Sequence, residues 1–377
     1  MIVTATKVTS TKTTSNKENL FGKSAKEIRQ RLQAIGEPAY REKQIRDWIY
    51  VKRVLDFAGM TNLSKALRAK LADAFVIEPP ATYHKHQSKD GSIKYVFHLE
   101  AGGEVEAVYM PMTKGVTMCL SSQVGCAQAC SFCMTAQMGF IRNLSPGEIV
   151  GQAFAIAHDQ QLEDPFNIVM MGMGEPLLNL NNLMKAIDLF TDDLGFGLSP
   201  RRITVSTSGH VRNLLKLGQY PKLPRIAVSL NASTDEQRNQ LMPVNLRWNI
   251  AELIDACKQL PIPPRERVTL EYVLIKDLND TPADAKRLVR LVANLRCKIN
   301  LIPFNETEGL SYRQPSLQTI EAFQAILNRS QIRNTIRWSK GRDIGAACGQ
   351  LATPITKRGA DLRVKSGAPS RKVSSAG

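Results

Sequence analysis

The chain has 377 residues, 43% of them hydrophobic, which is enough for one large catalytic domain and a smaller one around an ordinary packed core. No apolar run approaches the roughly 18 residues that a membrane span needs, and no charged, apolar and small-residue succession marks secretion, so the sequence reads as a soluble, cytoplasmic protein with no membrane partner. Fifty Lys and Arg against 34 Asp and Glu give a formal charge of +16, the balance of a protein that approaches a polyanion, with nucleic acid as the natural candidate.

Residues 1–23 form a polar leader; Thr, Ser and Lys dominate Thr4 to Asn19 and no Arg occurs there, so disorder is expected in preference to an organelle transit peptide. Residues 24–90 read as a helical accessory domain. Helical spacing is carried by Ile28 and Leu32, then Ile45, Trp48 and Ile49, then Leu63, Leu67 and Leu71. Its Arg41, Lys43, Arg46, Lys52 and Arg53 suit an RNA-facing appendage, although such a charge run is more often a solvated helix face. Residues 91–113 predict a β-hairpin linker, with two strand-like stretches, Lys94 to Leu99 and Val105 to Met110, flanking Glu100-Ala101-Gly102-Gly103.

From residue 114 to residue 350 short apolar strands alternate with amphipathic helices. Strands are predicted at 116–120, 167–171, 203–206, 225–230, 268–274 and 298–302, each followed by a helical pattern. This is the alternation of an α/β protein whose parallel sheet curls into a partial (β/α)6 barrel. Ser145-Pro146-Gly147-Glu148 and Thr281-Pro282-Ala283-Asp284 each supply a cap, a proline in the first turn and an acid three residues after the cap. In such barrels chemistry gathers at the C-terminal ends of the strands. The loops there contain Gly172-Met173-Gly174-Glu175-Pro176-Leu177, Ser206-Thr207-Ser208-Gly209, Ser229-Leu230-Asn231 and a segment ending at Asn305, hydrogen-bonding groups suited to a zwitterion and a ribose. Residues 351–377 read as a basic disordered tail, where Lys357, Arg358, Arg363, Lys365, Arg371 and Lys372 face a single acid, Asp361.

Seven cysteines, an odd number clustered in one place, suit a reducing compartment and a metal or redox site better than a disulfide framework. Cys126, Cys130 and Cys133 are spaced Cys-x3-Cys-x2-Cys and offer three thiolates where an iron-sulfur cube ordinarily takes four, which leaves one iron open to a small molecule. With Cys119 as a fourth ligand the same residues would close a tetrahedral zinc site. A zinc-dependent RNA-binding protein without catalysis therefore stays open at this point.

The cysteine motif, Gly172-Met173-Gly174-Glu175-Pro176-Leu177, Ser206-Thr207-Ser208-Gly209 and Asp343-Ile344-Gly345-Ala346-Ala347-Cys348-Gly349-Gln350-Leu351 together resemble the RlmN and Cfr family of radical S-adenosylmethionine (SAM) RNA methyltransferases, from about Ser24 to Leu351. The resemblance implies a [4Fe-4S] cluster on Cys126, Cys130 and Cys133. It implies SAM, two per turnover, bound by Gly174, Glu175, Ser206, Ser229, Leu230, Asn231 and Asn305. Cys348 would carry the methyl group as S-methylcysteine, Glu106 would accept a proton, and Cys119 would resolve a protein–RNA adduct through a transient disulfide with Cys348. The implied substrates are an adenine of 23S ribosomal RNA and the adenine beside the anticodon in tRNA, modified at C2, with C8 as the Cfr-like alternative. A low-potential electron donor such as flavodoxin or ferredoxin and a monomeric state complete the expectation. Asn231 departs from the family, which often has His there, and Cys257 and Cys297 match nothing and read as core positions.

Overall fold

A computed structural model describes residues 17–81 and 83–352; most of the predicted leader and of the basic tail lies outside the described residues. The N-terminal region contains β1 (Glu18–Asn19), α1 (Ala25–Ala34), α2 (Arg41–Arg46) continuing into a π-helical turn at Asp47–Val51, α3 (Lys65–Ala74) and β2 (Phe75–Val76), which pairs with β1. The end of the predicted leader departs from the expectation of disorder. Leu20 and Phe21 are buried, and the Phe21 ring meets Tyr50 at 5.4 Å and Phe154 at 5.3 Å, so apolar burial holds this short stretch.

Two strands, β4 (Ile93–His98) and β5 (Glu104–Pro111), form the expected hairpin, and β3 (Tyr83–Gln87) extends it, a strand where the sequence reading places the helical domain. Then follow β6 (Val116–Cys119), β7 (Gln123–Gly125), α4 (Met134–Gln137), β8 (Phe140–Asn143), α5 (Pro146–Asp159), β9 (Asn167–Met170) and α6 (Leu180–Thr191). The chain continues through β10 (Ile203–Thr207), α7 (Val211–Gly218), β11 (Arg225–Ser229), α8 (Asp235–Leu241), α9 (Ile250–Gln259), β12 (Val268–Leu274), α10 (Pro282–Val292), β13 (Cys297–Pro303), α11 (Leu317–Arg329) and β14 (Asn334–Ile336).

Ten strands share one sheet in the order β14-β13-β12-β11-β10-β9-β6-β5-β4-β3. From β6 to β14 the pairs are parallel, and from β3 to β6 they are antiparallel, so the α/β fold carries the hairpin as a direct extension of its partial barrel. Parallel strands are covered on both faces, and β12, Val-Thr-Leu-Glu-Tyr-Val-Leu, is buried almost throughout, its Thr269 and Glu271 included. The predicted capping boxes form at Ser145 with Glu148 and at Thr281 with Asp284. Cys257 and Cys297 are buried in the main core. Among the described residues no helix is long and apolar enough to cross a membrane.

Strand ends leave backbone carbonyls without ladder partners, and a buried arginine answers this at the mouth of the barrel. From α8, Arg238 donates to the carbonyl oxygens of Ser208 (2.6 Å), Ser229 (3.1 Å) and Leu230 (3.1 Å), and to Asn245 Oδ1 (2.9 Å). Burial pulls its pKa down to about 10, which leaves it protonated at neutral pH. Replacing Arg238 by Met leaves those carbonyls buried and unpaired, so the variant is expected to lose about 3 kcal/mol of stability in a denaturant titration.

Candidate active site at the mouth of the barrel

The cysteine loop is shaped before it is filled. β7 and β8 pair antiparallel with an irregularity at Val124 and Gly125, and Gly125 has φ +70°. A Cβ there would lie 1.8 Å from the Gly139 carbonyl oxygen, so only glycine fits. That same oxygen accepts the Cys126 N–H at 2.9 Å, the Ser131 N–H is held by the Leu241 carbonyl at 3.0 Å, and α4 begins directly after Cys133. Cys126, Cys130 and Cys133 all face one pocket.

Five of the six other residues expected to meet SAM at the C-terminal ends of β9, β10 and β11 and just beyond them line this pocket: Gly174, Glu175, Ser206, Ser229 and Asn231; Asn305, after β13, lines it too. Leu230 does not, because strand alternation turns its side chain into the core, where it is fully buried. Glu175 is buried with both carboxylate oxygens engaged, one by the Leu177 N–H at 3.0 Å and one by the Ser208 N–H at 2.7 Å. Burial pushes its carboxyl above the usual range and these backbone donors oppose the shift. Asn231 sits at φ +55°; its Oδ1 accepts the Val273 N–H at 2.9 Å and its amide donates to Met242 Sδ at 3.3 Å, so this departure from the family builds the wall of the pocket. Asn305 donates to Ser339 Oγ at 2.9 Å and to the Cys348 carbonyl at 3.1 Å.

Cys348 also lines the pocket, on a segment that returns from β14 across the open side of the barrel. Its neighbours are anchored to the cysteine loop: the Met134 N–H donates to the Gly349 carbonyl (2.8 Å) and Thr135 Oγ1 to the Leu351 carbonyl (2.6 Å). Cys119, at the end of β6, is fixed in register with Val108 and Val169. The implied disulfide between Cys119 and Cys348 must be corrected. All seven cysteines are free and no pair lies at disulfide distance, because each of these two is held by its own backbone anchors. Burial pushes Cys119 up to about 12 and raises Cys348, while the guanidinium of Arg337 acts on both in the opposite sense.

Glu106, in the middle of β5, is buried beside Cys348's segment rather than in the pocket lining. Its Oε1 pairs with Lys94 Nζ at 3.1 Å and its Oε2 accepts the Ala352 N–H at 3.1 Å. Burial raises its pKa, Lys94 and the Ala352 N–H oppose that, and Glu104 adds to it. Sequence reading missed both Lys94 and Arg337. Lys94 was within reach of it: the hairpin register places Glu106 opposite Val96, so Lys94 is its diagonal neighbour on the same face.

Among the described residues no group of three or more His, Cys, Asp and Glu gathers closely enough to hold a single metal ion. The donor set on the pocket wall is nonetheless chemically selective. The three thiols of the cysteine loop, with Cys348 apart from them on the returning segment and no imidazole on the wall, suit an iron-sulfur cluster, whose several irons spread their ligands over more space than one ion would.

Residues 18–77 match the family described as ribosomal RNA large subunit methyltransferase N-terminal domain, and residues 120–291 match the radical SAM superfamily. The dual-specificity RNA methyltransferase RlmN of Geobacter sulfurreducens is 46% identical over 333 residues, covering 88% of this chain and 91% of its own. That of Nitratiruptor is 44% identical over 349 residues, covering 89% and 97%. The chain belongs to the RlmN family of radical SAM methyltransferases. A crystal structure of a radical SAM methyltransferase from Sphaerobacter thermophilus shares 42% identity and superposes with a TM-score of 0.83, covering 89% of this chain and 99% of that one. Membership in the RlmN family carries with it an iron-sulfur cluster and SAM as cofactors.

Two outcomes follow from this geometry. Gly125→Ala is expected to lower the iron and sulfide retained after anaerobic reconstitution while leaving far-ultraviolet circular dichroism unchanged. Lys94→Met removes a cation that favours the Glu106 carboxylate, so the carboxyl pKa rises further and less of it is ionised at a given pH. The acid limb of the pH–rate profile is expected to move to higher pH, and an unmoved limb would count against Glu106 as the base.

Proposed function

We propose that this chain methylates C2 of an adenine in 23S ribosomal RNA and of the adenine beside the anticodon in tRNA, through S-methylcysteine at Cys348 and a transient protein–RNA crosslink. The observation that carries the reading is the convergence of Cys348 with Cys126, Cys130 and Cys133 on one pocket, in a chain matched along most of its length by relatives named dual-specificity RNA methyltransferase RlmN. The chemistry also requires such a route. C2 of adenine is an electron-poor aromatic carbon, so direct transfer of a methyl cation from SAM fails there.

In this reading Cys126, Cys130 and Cys133 hold a [4Fe-4S] cluster, and Gly174, Glu175, Ser206, Ser229, Asn231 and Asn305 surround SAM. When bound, the two supply a 5'-deoxyadenosyl radical, which no side chain can generate. Two SAM molecules serve each turnover, and a low-potential donor such as flavodoxin or ferredoxin provides the electron. The residues of the chain itself do the rest. Cys348 receives a methyl group on sulfur and presents its carbon to the base. Glu106, held between Lys94 and the Ala352 N–H, takes the proton that restores aromaticity. Cys119 is a second buried thiol in the field of the same guanidinium as Cys348. Residues 24–90 serve as the RNA-binding accessory domain, 91–113 as the linking hairpin and 114–350 as the catalytic barrel of a monomer. The seven free cysteines suit a reducing cytoplasm.

The test is anaerobic reconstitution followed by incubation with SAM, a reductant and protein-free ribosomal RNA, with digested nucleosides read by mass spectrometry. 2-Methyladenosine together with 5'-deoxyadenosine is expected; 8-methyladenosine, or neither product, would overturn the assignment. Glu106→Gln is expected to slow product formation by about 100-fold or more, the usual range for removing a general base. Cys348→Ala is expected to abolish it.

A further inference from the structure

Beside the pocket lies a surface that methyl transfer does not use. The loop between α8 and α9 brings Leu246, Arg247 and Trp248 outward, and Leu246 is 76% exposed, an apolar side chain with no core to serve. The Arg247 guanidinium carbon lies 4.7 Å from the centroid of the Trp248 ring, and the His210 ring lies 4.3 Å from that same ring, so imidazole, indole and guanidinium adjoin in series. Arg247 itself is exposed.

This series is tied to the mouth of the barrel from two sides. His210 directly follows the Ser206–Gly209 loop, whose Ser208 hydroxyl donates to Gln128 of the cysteine loop at 3.0 Å. On the other side Met242 lines the SAM pocket, and the Leu241 carbonyl holds Ser131. Two further exposed cations stand on α7, Arg212 and Lys216, and both act electrostatically on His210, as does Arg247. Among the described residues none of the three has a carboxylate at ion-pair distance. Burial, reinforced by these cations, keeps the imidazole below its ordinary pKa, so His210 belongs to the series as a neutral ring.

A solvated face would have no use for an exposed leucine and an indole set beside an unpaired guanidinium. Planar groups stack on unstacked bases, and cations that lack carboxylate partners are free for phosphates, the combination by which proteins hold single-stranded RNA. We propose that this surface docks the RNA strand flanking the target adenine, with a base stacked on Arg247 against Leu246 and the neighbouring phosphates held by Arg212 and Lys216. The proposal rests on the RNA methyltransferase reading above and names where its substrate is gripped.

The experiment uses the full reconstituted chain and a fluorescently labelled anticodon stem-loop RNA, with Kd measured across a salt series. Arg247→Ala is expected to weaken binding by about 5-fold or more, the low end for loss of one stacked base. Arg247→Lys keeps the charge and loses the plane, so it is expected to fall with the alanine variant; affinity equal to wild type would overturn the stacking role. Replacing Arg212 and Lys216 together by Gln is expected to flatten the slope of log K against log salt by about 1.4, two single-strand phosphate contacts. Lys286→Gln, an exposed cation on α10 outside this surface, controls for net charge and is expected to bind as wild type. If wild type makes 2-methyladenosine while the Arg247 and Arg212/Lys216 variants bind RNA as it does, the docking surface is wrong and the functional reading stands. If wild type binds no RNA, both fall.

Discussion

The C-terminal ends of parallel strands present carbonyl groups to a pocket that must also hold polar ligands, and the arrangement of this site depends on how those carbonyls are satisfied. Arg238 does it for two adjacent strands at once, reaching Ser208 beyond β10 and Ser229 and Leu230 at the end of β11. From there the order propagates by single hydrogen bonds. The Ser208 N–H holds a Glu175 oxygen, and the Glu175 N–H is held by Gln123 Oε1 at 2.8 Å, in the strand that opens the cysteine loop. The guanidinium is thus connected, through three hydrogen bonds, to the strand that leads into the cysteine loop. A buried cation bonded to neutral carbonyls carries a desolvation cost, and its removal would leave those carbonyls buried without partners, so it fixes the geometry of the strand ends as well as their stability.

The second constraint is closure. A partial barrel leaves one side open, and here the sheet continues past β6 into an antiparallel hairpin while the chain after β14 returns to meet it. That return is tied down by Asp343, which accepts from Ser88 Oγ at 2.5 Å and from the Lys89 N–H at 3.2 Å, and by the Gly341 N–H on Asp90 at 2.8 Å. Cys348 is therefore positioned by residues nearly 260 positions earlier in the chain, and the hairpin is part of the site's framework as much as a linker.

Much of this was legible in the sequence because it is written in local pattern. Apolar runs mark six of the seven parallel strands, Gly102-Gly103 the hairpin turn, and the serine and threonine caps the starts of α5 and α10. The cysteine spacing and the glycines beside it marked the pocket. What stayed hidden was set by tertiary contact. β14 is three residues long, Asn-Thr-Ile, too short to show a period. Arg238 lies in a polar helix, Asp-Glu-Gln-Arg-Asn-Gln-Leu, and reads as a solvated arginine until the carbonyls around it are seen. Arg337 follows a short strand and looks equally ordinary. Leu230 stands between two polar residues in the sequence, and alternation turns its side chain to the opposite face from theirs.

The bond from the Ala352 N–H to Glu106 joins an acid–base group to the backbone segment that carries Cys348. A hydrogen bond to the charged form stabilises it, so any displacement of that segment that breaks the bond raises the carboxyl's pKa and makes the carboxylate a stronger proton acceptor. Proton affinity and loop position are thermodynamically linked in this site: the proton is held most tightly when the sulfur's carrier has moved away, and each protonation of Glu106 loosens the carrier in turn.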